Sequence, residues 1–460
     1  MVEVIADYLP LLFGLTAALA VGVAVFVPAL RNPFLSVLVL VASLPFERVP
    51  SLDIGGVTLR FNQLAAVIVI AVAILALVFD RRQIRLYPAL LPLLGFFLLT
   101  MWTTPAAANV ARAASVFVFV LLMAITSLMI PQVVTDKSHV KQLGILFTVL
   151  AAFVSLFALF QFFGEMIGLP ERLTFIREGY GKEVFGFPRV HAFSAEPLYF
   201  ANFLFLPLGA MVGLLLTRQD VVPRTWLLGS LGATLLVFLL ALSRGAFIAA
   251  VPFTIMIVIF FLRRFLTVPN ILGILLGLLL VGATVWGILG IVSPEARERY
   301  LGHATLQDVL VTREGESAFG RLTTFERAVE IWGRSPVWGV GLGNYGPSVA
   351  QDPLTVPEHG WDIVNNQYLE SLTETGIVGL GLLLLFWGLV VLRSFIAFYK
   401  TRDLLVRAFL GGLTAAFVAT LVQYNFFSTL YIMHIWVAIG LLVALQNIAL
   451  APERKVSHAS

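Results

Sequence analysis

Long uninterrupted apolar runs dominate this chain, and many exceed the roughly 18 residues that a helix needs to cross a bilayer. Lipid offers no water to backbone N–H and C=O groups, so runs of this length must satisfy themselves as helices. Of 460 residues, 59% are hydrophobic and 12% charged. The mean hydropathy of +0.96 lies far outside the range of soluble domains. Spans are predicted at about 8–30, 33–45, 63–79, 87–103, 114–133, 143–168, 198–217, 225–243, 245–262, 270–292, 376–398, 405–423 and 428–450. The second is short for a span: it fits a re-entrant segment, or one hairpin shared with the first. The expected fold is an all-α polytopic membrane protein of 12–13 transmembrane helices with a large, partly helical extracytoplasmic loop. The chain then divides into N-terminal spans (1–168), a loop (169–197), central spans (198–292), a large loop with an amphipathic helix (293–375), and C-terminal spans with a short tail (376–460).

Short loops fix the orientation through their Lys and Arg residues. Sixteen of the 30 basic residues fall at alternate span ends with only five acids, a balance of +11. The other 14 bases accompany 21 acids, a balance of −7. The first side is therefore expected to be cytoplasmic, with the C-terminus, and both long loops lie outside. The opening MVEVIADYLPLLFG has acids and no Lys or Arg, the wrong flank for a cleaved leader, so the first run is expected to stay as a helix. With no cysteine, disulfides, thiolate metal sites and thiol catalysis are excluded. No spacing of ligands suggests zinc or a di-acidic metal site, so neither metal nor cofactor is expected.

Four polar stretches interrupt the outer side. The first, FGFPRVHAFSAEPLYF, places Arg189, His191 and Glu196 ahead of a span, with Pro197 suited to a helix's first turn. It reads either as an interfacial ion pair or as an anion site. The second, LLALSRGAFIAA, puts Arg244 with Ser243 and Gly245 in a tight turn on the side that should lack positive charge. It either snorkels to lipid phosphates or serves a function. The third runs from Phe319 to Gly346: Arg321 opens an amphipathic helix with Leu322, Phe325, Val329 and Trp332 at helical spacing, and GLGNYG follows. No βαβ unit surrounds those glycines, so they are read as a turn that lets backbone approach something closely, not as a dinucleotide site. The fourth, EHGWDIVNNQYLESLTETG, carries Glu358, His359, Asp362, Asn365, Asn366, Tyr368, Glu370 and Glu374 just before a span. A helix cap and an aromatic belt would account for much of it. His434, within the last span, is at least as well explained as a satisfied core histidine.

Taken in order and spacing, these four motifs over about 185–445 resemble the O-antigen ligase and O-antigen polymerase family of bacterial envelope glycosyltransferases. The resemblance implies a multi-span enzyme of the inner membrane that moves a glycan from undecaprenyl diphosphate to a saccharide or glycolipid hydroxyl on the periplasmic face. Its partners would be that donor, that acceptor and the bilayer, with no nucleic acid. Arg189, Arg244 and Arg321 would hold the departing diphosphate, because a guanidinium binds phosphate oxygens bidentately and keeps its charge when desolvated. Where the family usually has His, this chain has Asn365. Candidates for the proton acceptor are then His359, Glu358 or Asp362, or His191 or Glu196 of the first loop; His359 is favoured because imidazole titrates near pH 6.5. Ser243, Asn366 and Tyr368 would support the site. Attack opposite the leaving group would invert the anomeric centre. Glu196-Pro197, where ligases tend to have Asn-Pro, favours a polymerase of O-antigen or exopolysaccharide over a lipid A-core ligase.

Two other classes remain open on sequence. A transporter or lipid flippase should concentrate polar groups near the membrane midplane, whereas here they gather at the outer ends. A non-catalytic scaffold would tolerate neutral residues at 244 and 321.

Overall fold

The computed structural model describes residues 22–48, 51–54, 57–79, 83–177, 180, 187–265, 315–358 and 360–451. The predicted span at 270–292, the start of the first span, and His359 lie outside these residues. Within them the chain is an all-α polytopic bundle with one small hairpin. In order come α1 (Gly22–Arg31), α2 (Phe34–Ser43), β1 (Ser51–Ile54), β2 (Val57–Arg60), α3 (Phe61–Phe79), α4 (Leu90–Thr103), α5 (Val110–Val133), α6 (Lys137–Met166) and the short α7 (Glu171–Thr174). There follow α8 (Pro197–Thr217), α9 (Arg224–Leu240), α10 (Arg244–Phe265), α11 (Gly315–Arg334), α12 (Tyr345–Val349), α13 (Gln367–Lys400), α14 (Leu404–Gln423) and α15 (Met433–Leu450). Eight of these helices are long and apolar enough to cross a membrane: α3, α5, α6, α8, α10, α13, α14 and α15. The second predicted span is only the ten-residue α2, too short to cross alone. The hairpin pairs Ser51 with Arg60 and Ile54 with Val57, flanking Gly55 and Gly56; helical periodicity could not reveal it.

Close helix contact comes from small residues, as expected where lipid supplies no hydrophobic drive between helices. In α8 and α14, Gly209 and Gly412 face each other so closely that a Cβ on either would overlap the other's carbonyl oxygen. Polar side chains buried between helices pair with one another. Asn202 donates to Gln423 Oε1 (2.7 Å) and shares a 2.7 Å bond with His434 Nε2, so His434 is a satisfied core histidine.

Hydrogen bonds between loops sort the two ends of the bundle. At one end, Arg48 N–H donates to Phe193 O, Val190 N–H to Leu240 O, and Gln367 N–H to Tyr424 O. Asn109 N–H reaches Asn344 Oδ1 (2.7 Å) at the same end. Every loop expected outside that is described gathers here. At the other end Lys137 pairs with Asp403 (2.5 Å) and Asn447 donates to Leu86 O (2.9 Å).

Candidate functional site at the loop end of the bundle

The first loop is pinned from beneath by α6. Gln161 Oε1 accepts the backbone N–H groups of His191 (2.9 Å) and Ala192 (3.0 Å), and its amide donates to Thr174 O (2.9 Å). His191 is fully buried. Its Nε2 accepts Arg177 N–H (3.1 Å) and its Nδ1 bonds Ser194 O (3.1 Å), which fixes the neutral ring with the proton on Nδ1. Burial, reinforced by Arg48 and Arg177, pushes its pKa down to about 4. His191 thus shapes the loop and has no ring nitrogen left for a substrate. Glu196 stands at the start of α8 ahead of Pro197, with no capping bond from its side chain; burial raises its pKa, opposed by Arg177 and Arg189. Arg189 lies with its guanidinium 5.5 Å from the Tyr180 ring centroid. Glu47, whose pKa burial also raises, lies between Arg60 and Glu196 and accepts a long bond from Ala195 N–H (3.5 Å).

The hydrogen bond from Val190 to Leu240 sets this loop against the turn that starts α10. There Ser243 is buried, its carbonyl accepting Phe247 N–H (3.0 Å), while Arg244 is exposed at the helix start. Gly245 is packed onto Phe426, where a Cβ would come within 2.9 Å of the ring. Phe426 belongs to the 424–432 segment joining α14 to α15. The same segment offers Thr429 to Tyr199 (3.2 Å) and Ser428 to Glu370 (2.6 Å).

Helix α11 covers the start of α13. The sequence stripe of Leu322, Phe325, Val329 and Trp332 needs correcting by one step. Ala328 and Ile331 are buried with Tyr345 and Val364, and Phe325 packs beside them, whereas Val329 is 49% exposed. The rotation follows from the partner: Thr373 on α13 donates to Ala328 O (3.1 Å), so the small residue must face the contact. Residue 321 lies within α11, but its side chain is outside the described ones.

The GLGNYG turn approaches backbone, as its glycines suggest. Helix α13 breaks at Gly376 (φ 65°, ψ −174°), a region that only glycine occupies readily. The 336–341 strand of chain fills the break. Val340 and Gly341 N–H donate to the Thr373 and Glu374 carbonyls, while Ile377 and Val378 N–H donate to Pro336 and Val337. Glu374, buried, completes the dock by accepting Gly343 N–H (2.7 Å) on Oε2 and Tyr345 N–H (3.1 Å) on Oε1.

Against this dock opens a small cleft lined by Arg112, Gly343, Asp362, Gln367, Glu370 and Tyr431. Arg112 Nε donates to Gly343 O (2.6 Å), and its guanidinium lies 5.6 Å from the Trp361 ring. Asn365, in left-handed backbone (φ 56°), donates its N–H to Ser428 Oγ (3.0 Å). Asn366 caps α13, accepting Leu369 N–H (3.0 Å), and the Tyr368 hydroxyl donates to Leu421 O. These last three position the cleft wall. Tyr431 links it to the end of β2, lying within electrostatic reach of Arg112, Glu370, Glu374 and Arg60. A guanidinium, carboxyl groups, an amide and a phenol in one cleft can donate to and accept from a polyhydroxy ligand.

Of the predicted residues, then, Arg189, His191, Glu196, Ser243 and Arg244 sit around adjoining loops, and Asp362 with Asn365, Asn366 and Tyr368 forms or supports the cleft. The sequence reading assigned no site role to Arg112, Glu370, Glu374 or Tyr431. The signal available was the i, i+4 spacing of the two glutamates, which puts them on one helix face, and a charge at 112 in an apolar run.

The architecture defines a multi-pass membrane protein whose polar chemistry collects at one end of its bundle. Residues 229–384, from α9 into α13, match the family model described as O-antigen ligase. No curated protein matches the chain.

Proposed function

We propose that the protein is a glycosyltransferase of bacterial surface-polysaccharide assembly, moving a glycan from undecaprenyl diphosphate to a saccharide hydroxyl at the periplasmic face of the inner membrane, with its C-terminus cytoplasmic. The observation that carries this reading is the bond from Val190 N–H to Leu240 O, which brings the Arg189 segment beside the Arg244 turn. Two guanidinium-bearing segments at the lipid edge suit a leaving diphosphate, whose charge grows as the glycosidic bond breaks. Arg321, on α11, the helix packed over the start of α13, is the third proposed donor. The matched stretch includes Arg244 and Arg321, and Arg189 lies upstream of it. For the acceptor hydroxyl's proton, Asp362 lines the cleft, Glu196 stands in the first loop, and His359 is close in sequence to the cleft wall.

Polymerisation of O-antigen or exopolysaccharide units is the favoured reaction; the description of the matched family favours ligation to lipid A-core as the second reading. The test is turnover of undecaprenyl-diphosphate glycan by purified protein, with and without core acceptor, where product size separates the two. Arg244→Ala should abolish product without loss of expression, since Arg244 is exposed at a helix start. Arg244→Lys should restore it only partly, because charge returns without the planar fork. Normal product from Arg244→Ala would refute the proposal.

A further inference from the structure

We infer that Glu370 is the catalytic base of the transfer, taking the acceptor hydroxyl's proton in the cleft beside Arg112. This assignment rests on the glycosyltransferase reading above, and it names a residue that the resemblance does not supply.

The carboxyl groups at the cleft are used differently. Glu374 spends both oxygens on backbone: Oε2 on Gly343 N–H and Oε1 on Tyr345 N–H. Asp362 is exposed to water. Glu370 differs from both. Its two hydrogen bonds, from Val364 N–H (2.8 Å) and Ser428 Oγ (2.6 Å), both fall on Oε2. Oε1 takes neither, while the carboxyl is anchored at its other oxygen and lines the cleft. That is how a positioned base is built: one atom fixes the geometry and the other meets the proton.

A second observation points to a ligand in the same place. Gln367, 2% exposed, lines the cleft too, and among the described residues its buried Oε1 has no hydrogen-bond donor. A polyhydroxy acceptor supplies such donors. Tyr431, at the same cleft, offers a flat apolar face of the kind on which sugar C–H groups rest.

In the step, the acceptor O–H bond breaks and its proton passes to Glu370 Oε1. The electron pair left on oxygen forms the new bond to the anomeric carbon. The old bond between that carbon and the diphosphate oxygen breaks, and its pair leaves with the diphosphate as added negative charge for the arginines. Glu370 then returns its proton to water. The groups that interact with Glu370 are Arg112 from α5, Tyr345 from α12, Glu374 one turn along, and Tyr431, and Asp362 ahead of α13 lines the same cleft.

Glu370→Gln tests this with the fold intact, because an amide oxygen at the Oε2 position can still accept from both Val364 and Ser428. The full chain in lipid nanodiscs would be assayed with undecaprenyl-diphosphate glycan across pH, alongside Asp362→Asn and His359→Ala. Glu370→Gln is expected to lower kcat about 100-fold or more, leave the donor KM within about threefold, and erase the acid limb of the pH–rate profile. A purely structural role would leave that limb in place. Glu370→Gln turning over within about threefold of wild type with the limb intact overturns the assignment, as does loss of the limb in Asp362→Asn or His359→Ala alone. If wild type itself moves no sugar, the glycosyltransferase reading falls and takes the base with it; transfer by wild type with Glu370→Gln undiminished removes the base alone.

Discussion

Removing the Glu374 carboxylate should release the glycine turn from α13. The side chain accepts Gly343 N–H at 2.7 Å and Tyr345 N–H at 3.1 Å, and it is 5% exposed, so water does not compete for either bond. A buried donor left without a partner costs about 1–3 kcal/mol, and the alanine variant leaves two. Glu374→Ala should therefore cost about 2–6 kcal/mol locally, and Glu374→Gln, whose amide keeps one acceptor oxygen, about half of that. Hydrogen exchange of the 340–346 backbone reads this directly, since each 1.4 kcal/mol is about a tenfold change in the opening equilibrium. Exchange at Gly343 and Tyr345 should accelerate at least about 30-fold in Glu374→Ala and clearly less in Glu374→Gln. Equal exchange in wild type and Glu374→Ala would show that the four backbone bonds around Gly376 hold the turn alone, and the reasoning would fail.

Gly376→Ala should lower the thermal midpoint of the detergent-solubilised protein, because φ 65° with ψ −174° costs a non-glycine residue about 1–3 kcal/mol and a Cβ would overlap the Val337 carbonyl. Gly381→Ala, on the same helix with open space around its Cβ, is the control and should leave the midpoint unchanged or raised. For His191, the folded pKa of about 4 lies below the ordinary 6.5, so the unfolded chain binds the proton more readily. Its contribution to stability is whole above pH 6.5 and is lost as pH falls toward 4, a change of about 3 kcal/mol. Denaturation midpoints followed from pH 7 to 4 should fall for wild type and flatten in His191→Gln; parallel slopes would refute this.

Particular residues mark where sequence reasoning reached its end. Apolar runs located α3, α5, α6, α8 and α13 to α15 within a few residues, because lipid crossing imposes length and composition on contiguous sequence. Asn366 before α13 and Pro197 at the start of α8 were legible as helix-start signals. The 328/331 face of α11 was not, since Val329 and Ile331 are equally apolar and only the neighbour, Thr373 reaching Ala328 O, selects between them. His191 looked like a candidate base on residue type, and only the bonds to Arg177 N–H and Ser194 O reveal that both nitrogens are committed.

The sequence by itself determined that this chain crosses a membrane many times and that its polar motifs stand at span ends, because hydrophobicity is a property of consecutive residues. Tertiary structure alone decided which carboxyl groups are used up and which face a cleft. Arg112, Tyr345, Glu370 and Ser428 are hundreds of positions apart at the extremes, and hydrogen bonding depends on distances in space that no local pattern encodes.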